Sequence, residues 1–458
     1  MLDCRNDAYL GFTMGSMIHL TVGGLYVDCG KNAGFFDHSP IYQTSDVRQI
    51  PYHYVRHAPG SAEDGTPITE LQEGLSKPLH AVVERLNLLG FTRNYARRSF
   101  EYMAEYGGTR FDTTGKFDFD FFAREFAELD VSIFDYELGR STDFAEALAS
   151  HLRERLNLER PAEPDPDSEF YIIREAANCL SPYTVLHLLA KNPAAGMLPV
   201  NWQFHDVEHG GWAPWDGFVK DLDQENRFLI VTEGSSDAAI IRHALKLRKP
   251  YVANFFYFVD MQEGYPFSGT GNLYNFAKGL IGIAVQNNTV FLYDNDAEGA
   301  MNFNRTLDLT LPPNMAVLKL PDLPAFEQFN TIGPYGKQPA DINGRAAAIE
   351  CYLYLDDAGT VRWTSFNKGL GIYHGELIEK ARYAGEFYRL SESEAYDFSK
   401  IDVVLDMMME ACTAMKEEAA FGNLERDFGY VLDEAEADTV LIRSLRSDNL
   451  ADIPGRDE

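Results

Sequence analysis

The sequence has no run of about 18 apolar residues that would cross a membrane as a helix. Its N-terminus also lacks the basic region and apolar stretch of an export signal. A soluble, cytoplasmic protein is therefore expected. Cysteine is scarce: Cys4, Cys29, Cys179, Cys351 and Cys412 lie far apart, with no CxxC pair and an odd total. That spacing speaks against a zinc cluster or a disulfide framework and leaves buried free thiols as the expectation. No internal repeat and no low-complexity segment is seen. Positive charge is also in short supply, with 40 Lys and Arg against 70 Asp and Glu and a net charge of −30. Phosphate backbones attract Lys and Arg, so such a chain is not an obvious nucleic-acid binder. Two readings lift the conflict. Acids that gather around divalent ions let the ions meet the phosphate. Alternatively, a local basic patch does so, such as Arg242, Lys246, Arg248 and Lys249 within RHALKLRK, whose plainer reading is a solvated helix face.

What is present is ample apolar material, 45% hydrophobic and 13% aromatic residues in a chain of 458, which predicts two or three packed domains. The first 13 residues read as an appendage, and Met14 leaves open a start of translation there. From Met17 the segments MIHLTV and LYVDC form a strand pair turning at Gly23 and Gly24. From about Leu75 the pattern becomes helical. One helix ends at Gly90, another runs from an N-cap at Thr92 to Gly107, and others are expected over 118–130, 141–158 and 168–191, the last broken near Pro182. ERPAEPDPDSE (159–169) is a loop between helices, and the aromatic, glycine-rich 196–218 reads as a packed connection between domains.

After Asn226 strands and helices alternate: RFLIVTEG, NFFYFVD, TVFLYDND and MAVLKL are strands, each of the first three followed by a helix. Such alternation indicates a parallel α/β sheet. From about Glu376 to Asp448 the pattern is helical again, and the methionines of DVVLDMMMEACTAMKEEAA are core material.

In an open parallel sheet the site lies beyond the carboxyl ends of the strands. Acids stand at those ends here. Glu233 follows LIVT, Asp260 follows FYFV, and Asp294 and Asp296 follow VFLY. Asp237, four residues after Glu233, faces the same way on a helix. Carboxylates pressed together resist ionisation unless a cation holds them, and hard oxygen ligands favour Mg²⁺ or Mn²⁺. For Asp237 or Asp296 alone, a helix N-cap is an adequate explanation. DNDAEG also starts like a calcium loop, but its twelfth position is Arg305 and a strand precedes it. A haloacid-type phosphatase needs its DxD after the first strand, where Glu233 stands.

A strand ending in Glu-Gly, followed later by a strand ending in DxD, resembles the Toprim domain of topoisomerases, primases and OLD-family nucleases. The EGSSD form looks closest to the OLD-type branch. The resemblance covers roughly 226–375 and implies metal ligands at Glu233, Asp237, Asp294 and Asp296, with Glu350 of INGRAAAIECYL as a later acid on a helix. It also implies a basic residue steadying the scissile phosphate, for which Lys368 is the candidate. Catalysis by Glu233, Asp294, Asp296 and Lys368 with paired ions would be phosphodiester hydrolysis. Asp260 matches no fixed ligand position and is held as an outer group; Ser268, Gly269 and Gly271 form a loop that could approach phosphate.

The features MGSMIHLTVGG, LSKPLHAVVERLNLLG with ARRSFEYM, and VEHGGW are similar to the HEPN/Toprim-associated N-terminal domain, over 14–220. Such domains precede Toprim or HEPN effectors in bacterial proteins suspected of roles in phage conflict. A HEPN ribonuclease needs Arg and, four to six residues on, His on a helix; only Arg48 and His53 fit, and Pro51 argues against a helix there. The N-terminal half is thus read as a non-catalytic sensor or assembly module. No segment reads as the DNA-gating domain of a topoisomerase, and the cysteines supply no primase zinc module.

The expected architecture is an α/β Toprim domain (226–375), preceded by a mainly α domain with an N-terminal β-hairpin (14–220) and followed by a helical C-terminal region (376–448). The expected function is a Mg²⁺- or Mn²⁺-dependent nuclease acting on DNA or RNA, with a phage-defence role implied by resemblance. Its partners would be nucleic acid and no membrane, with a homo-oligomer or a partner defence protein left open. The alternative is a non-catalytic module that binds metal and nucleotide.

Overall fold

The computed structural model describes residues 15–56, 66–106, 116–131, 144–162, 165, 167–259, 270–356, 359–367, 371–391 and 395–448. Five strands open the fold: β1 (Met17–Val22), β2 (Leu25–Lys31), β3 (Val47–Arg56), β4 (Thr66–Pro78) and β5 (Pro199–Gln203). They lie in the order β2-β1-β5-β4-β3, every pair antiparallel. Between β4 and β5 come α1 (Leu79–Leu88), α2 (Arg93–Tyr106), α3 (Phe119–Glu128), α4 (Phe144–Leu156), α5 (Glu169–Asn178) and α6 (Pro182–Leu189). Side-chain caps start several of them. Asp118 accepts from the Phe121 amide at 2.7 Å, and Ser181 accepts from Thr184 at 3.2 Å ahead of Pro182 in the first turn.

Three expectations change here. The N-terminal part is α+β rather than mainly α, because ten-residue β3 and thirteen-residue β4 form a long antiparallel pair. Residues 75–78 belong to β4, so the first helix starts only at Leu79. The 196–218 segment is more than a connection, since β5 within it is the middle strand of the sheet. Val200, Asn201, Trp202 and Gln203 of β5 are all buried, so no polar–apolar alternation marks it as a strand. Trp202 stacks near Tyr42 and meets Phe204, Phe218 and His38 edge-on at the centre of this core. After β5 come two short helices, α7 (His205–His209) and α8 (Trp215–Phe218).

The second sheet contains β6 (Phe228–Thr232), β7 (Phe256–Phe258), β8 (Asn288–Tyr293) and a later strand, β10 (Met315–Lys319). All are parallel, in the order β10-β8-β6-β7. All six residues of β8 are buried, as suits a strand covered on both faces. The crossovers are α9 (Ser235–Arg248), α10 (Thr270–Gly282) and α11 (Ala297–Leu307), and a two-residue strand, β9 (Asn295–Asp296), precedes α11. From β6 the chain adds β7 on one side, then crosses back to add β8 and β10 on the other. The crevice beyond the ends of β6 and β8 is therefore the switch point of the sheet.

A third sheet, β12-β11-β14-β15, is built from β11 (Phe329–Gly333), β12 (Gly336–Ala340), β14 (Val361–Asn367) and β15 (Ile372–Leu377). Between them β13 (Ala346–Ala347) pairs antiparallel with β9, Ala346 opposite Asp296. Then follow α12 (Lys380–Phe387) and the long α13 (Ser399–Asp448). The C-terminal region is helical, but only after β15 ends at Leu377.

α13 braces both halves. Its Asp402 takes two hydrogen bonds from Arg248, and Asp406 pairs with Lys249 at 3.1 Å. Half of the RHALKLRK patch is thereby spent on helix packing, while Arg242 and Lys246 stay exposed. Further along, Glu417 bonds Thr92, and Lys416 Nζ reaches the Glu225 carbonyl at 3.3 Å. Gly90, at φ +90, ends α1 where a Cβ would lie 2.8 Å from the Lys416 carbonyl carbon, so both backbone conformation and space require glycine. A second brace is Arg85, fully buried on α1. It donates to the carbonyls of Pro40, Tyr42 and Tyr251 and to Asn254 Oδ1, and its guanidinium lies 4.6 Å from the centre of the Phe255 ring. Cys179, Cys351 and Cys412 are free and buried. Cys29, against the expectation for it, is disulfide-bonded. Among the described residues no helix is long and apolar enough to cross a membrane.

Candidate active site

The site grows from the ends of β6 and β8. Glu233 leaves β6 immediately before α9 and accepts a hydrogen bond from the Asp294 amide at 3.1 Å, so the two strand ends are tied through the acids themselves. Asp237, in the first turn of α9, accepts from the Gly234 amide at 2.8 Å and from Ser236 Oγ at 3.2 Å. Asp296 is the N-cap of α11 and accepts from the Gly299 amide at 2.7 Å. The N-cap explanation therefore holds for Asp296, whereas Asp237 is the third residue of α9 and bonds back to the N-cap, Gly234. These hydrogen bonds also fix each carboxylate's direction while leaving it lone pairs for another partner.

Glu350 arrives by a separate route. The pairing of β13 with β9 carries the chain back to the strand end. The next turn, Ile349–Tyr352, is a 3₁₀ turn rather than the helix expected for this acid. Glu350 is 5% exposed there, and its charge is felt by both Asp237 and Asp294. The structure thus gathers Glu233, Asp237, Asp294, Asp296 and Glu350 in one region. Lys368, Asp260, Ser268 and Gly269 lie outside the described residues, and Gly271 sits in the first turn of α10. Arg48 and His53 are on strand β3, where His53 Nδ1 meets Thr69 Oγ1 at 3.1 Å.

The electrostatics of the cluster follow from its packing. Burial pushes the Glu233 carboxyl up to about 8, with Asp296 adding to the rise. Asp237 is pushed up to about 6 by burial and by Glu350. Asp294 keeps partial solvent access, yet crowding by protein and by Asp237, Glu233 and Asp296 raises it well above the usual carboxylate range. Asp296 is also raised, chiefly by burial, although Gly299's hydrogen bond and the nearby His374 act the other way. Mutually repelling acids of this kind are relieved by protons or by a cation. All five donors are hard oxygens, and the set suits a divalent ion such as Mg²⁺ or Mn²⁺. Among the described residues no three His, Cys, Asp or Glu side chains are closed around a single point where an ion could sit. The hydrogen bonds above explain the openness, since three of the acids are turned to backbone amides.

Some residues of the site were missed by sequence reasoning. Gly299 is one: a Cβ there would lie 2.9 Å from the Asp294 carbonyl carbon and 3.0 Å from Glu233 Oε1. The glycine of DNDAEG was visible, but only as a position in a calcium loop. Asn295, between the two aspartates, is another. It is fully buried, donates to Asp322 Oδ1 at 2.9 Å and to the Pro321 carbonyl, and accepts from the Gly344 amide at 2.8 Å and from Lys319. This hub anchors the strand end that carries Asp294 and Asp296. Glu298, exposed in the first turn of α11, adds a sixth negative charge felt by Glu233 and Asp296. Lys380, at the start of α12, offers a positive charge near Asp237.

Residues 14–226 match the family model described as HEPN/Toprim N-terminal domain 1. The match covers the antiparallel sheet and its helices and ends just before β6. No curated protein and no solved structure matches the chain.

Proposed function

We propose that the protein is a divalent-metal-dependent nuclease of Toprim type, hydrolysing phosphodiester bonds at the switch point between β6 and β8. The observation that carries this reading is the convergence of Glu233 and Asp294, from adjacent parallel strand ends, with Asp237, Asp296 and Glu350 around them. A purely structural role does not account for four carboxyls of raised proton affinity, those of Glu233, Asp237, Asp294 and Asp296, in one crevice. The family match ahead of β6 supports it, because that domain is named for its association with Toprim and HEPN modules. The closeness to OLD-type nucleases, and a part in defence against phage, belong to the same proposal.

Glu233, Asp294 and Asp296 would hold one ion, and Asp237 and Glu350 would contribute to a second. Bound ions supply an acidified water and charge neutralisation at phosphate. The chain's own contribution is directional. The amide bonds to Glu233, Asp237 and Asp296 keep each carboxylate in a single orientation, and Asn295 keeps the DxD strand end from moving. Lys380, and Lys368 by resemblance, would steady the scissile phosphate. The test is cleavage of plasmid DNA, single-stranded DNA and transfer RNA with Mg²⁺ or Mn²⁺. Glu233→Gln and Asp294→Asn should each abolish it, and cleavage surviving in both would remove the site assignment.

A second reading is favoured by the open arrangement of the acids and by the net charge of −30. In it the cluster binds metal and a nucleotide without cutting a polymer. Thermal stabilisation by Mn²⁺ that Asp294→Asn abolishes, in a parent that cleaves nothing, would select it.

A further inference from the structure

We propose that one face of the sheet β12-β11-β14-β15 is a stacking platform for single-stranded nucleic acid, feeding the acidic site beside it. The proposal rests on reading that site as one that acts on phosphodiesters. On β14 and β15, Phe366 stands directly opposite Tyr373, their ring centres 5.0 Å apart. Trp363 lies three residues before Phe366 and would ordinarily face the other way. The register shift between Trp363 and Ser365 restores it to the same face, opposite Gly375 and 6.5 Å from the Tyr373 ring. Glycines clear the space for the indole. A Cβ on Gly333 would come 3.1 Å from Trp363 Cδ1, and one on Gly375 would come 3.0 Å from Trp363 Cε3. The indole therefore spans the sheet from β11 to β15.

Phe366 is 49% and Tyr373 44% exposed, which is a poor use of aromatic area if packing were their only role. The face is continuous with the acids. A Cβ on Gly375 would lie 2.8 Å from the Ala346 Cβ, and Ala346 is the β13 residue paired with Asp296. Next to it, Arg345 is exposed, makes no ion pair among the described residues, and is the backbone bridge partner of Asp296. A free cation between an aromatic face and a metal-binding cluster suits a phosphate backbone passing from one to the other. Bases in a duplex have their faces covered by their neighbours, so only unpaired bases can use such a platform.

The experiment is fluorescence anisotropy with labelled oligo(dT), oligo(rU) and a duplex of the same length. It is run on the full chain in EDTA and on Asp294→Asn in Mn²⁺. Phe366→Leu combined with Tyr373→Leu keeps apolar area but removes the rings. It should weaken single-strand binding about tenfold to a hundredfold and leave duplex binding unchanged. Tyr373→Phe should bind as the parent does, and circular dichroism melting checks that each variant is folded. If the double variant fails to fold, the single Phe366→Leu replaces it, with a loss of about fivefold or more expected. The two oligonucleotides distinguish DNA from RNA. Unchanged single-strand binding in the ring-less variant, equal loss on duplex, or no single-strand binding by the parent would each overturn the platform. Ring-dependent binding without any cleavage by the parent in Mn²⁺ would leave the platform standing and remove the nuclease reading. Cleavage of single strands with an unchanged KM in the double variant would do the reverse.

Discussion

Glu233→Gln should stabilise the metal-free protein at alkaline pH, although it removes a residue of the proposed active site. The Glu233 carboxyl lies at about 8 in the fold against an ordinary value of 4.5, so the folded chain holds the proton more tightly than the unfolded chain does. An acid raised in this way contributes stability that is fully present below about 4.5 and is lost as pH rises through 8. At 1.36 kcal/mol per pH unit, the interval from 4.5 to 8 is worth up to about 5 kcal/mol. Glutamine has the shape of the protonated acid and no charge to desolvate. In EDTA, the variant and parent should therefore melt together near pH 5. By pH 9 the variant should melt higher, by on the order of 10 °C for a unit of this size. Saturating Mn²⁺ should narrow that gap, because the ion rewards the ionised cluster; an ion at a hundredfold its Kd adds about 2.7 kcal/mol to the parent. The assay is differential scanning fluorimetry across pH 5–9, with and without metal. A melting difference that stays constant with pH, or a variant that melts lower at pH 9 in EDTA, would refute the reasoning.

Gly299→Ala should cost about 3 kcal/mol and abolish the thermal response to Mn²⁺, since the new methyl meets backbone rather than a flexible side chain; an unchanged melting point would refute the close approach. Asn295→Ala leaves the Lys319 ammonium and the Gly344 amide short of an acceptor. It should cost about 2–3 kcal/mol, with a larger loss in kcat than in KM, read by melting and by cleavage kinetics. Arg85→Met should loosen the joint between the N-terminal part and residues 250–256, seen as faster amide exchange there. Arg85→Lys should rescue it poorly, because one ammonium cannot span four acceptors.

The parallel sheet was legible because its central strands, β6 and β8, are largely buried and read as apolar runs, each ending where the polar residues begin. Acids at such ends stand out against that background, which is why Glu233, Asp294 and Asp296 could be named from the sequence. Other features depend on partners far away in the chain. β5 is five residues long with four of them buried, and only its pairing to β1 and β4 makes it a strand. Trp363 and Phe366 share a face only because of a bulge, which no spacing rule announces. Glu350 stands in the expected stretch, but the turn that holds it is set by β13 pairing with β9, a contact between short segments of four residues in all. Asn295 looked like the spacer of DxD, and its role is visible only once Lys319, Asp322 and Gly344 are seen around it.

The central position of β5 also has a consequence for how the chain is made. β1 with β2, and β3 with β4, are complete pairs early in synthesis, but the strand that joins them is translated only after six helices. Until then the nascent chain carries two separate ribbons with unpaired inner edges, the kind of edge that invites pairing with another chain. At about 5–20 residues per second that interval lasts several seconds or more. The sheet closes only when synthesis has reached the threshold of β6, so the N-terminal unit is finished just as the acid-bearing half begins to emerge.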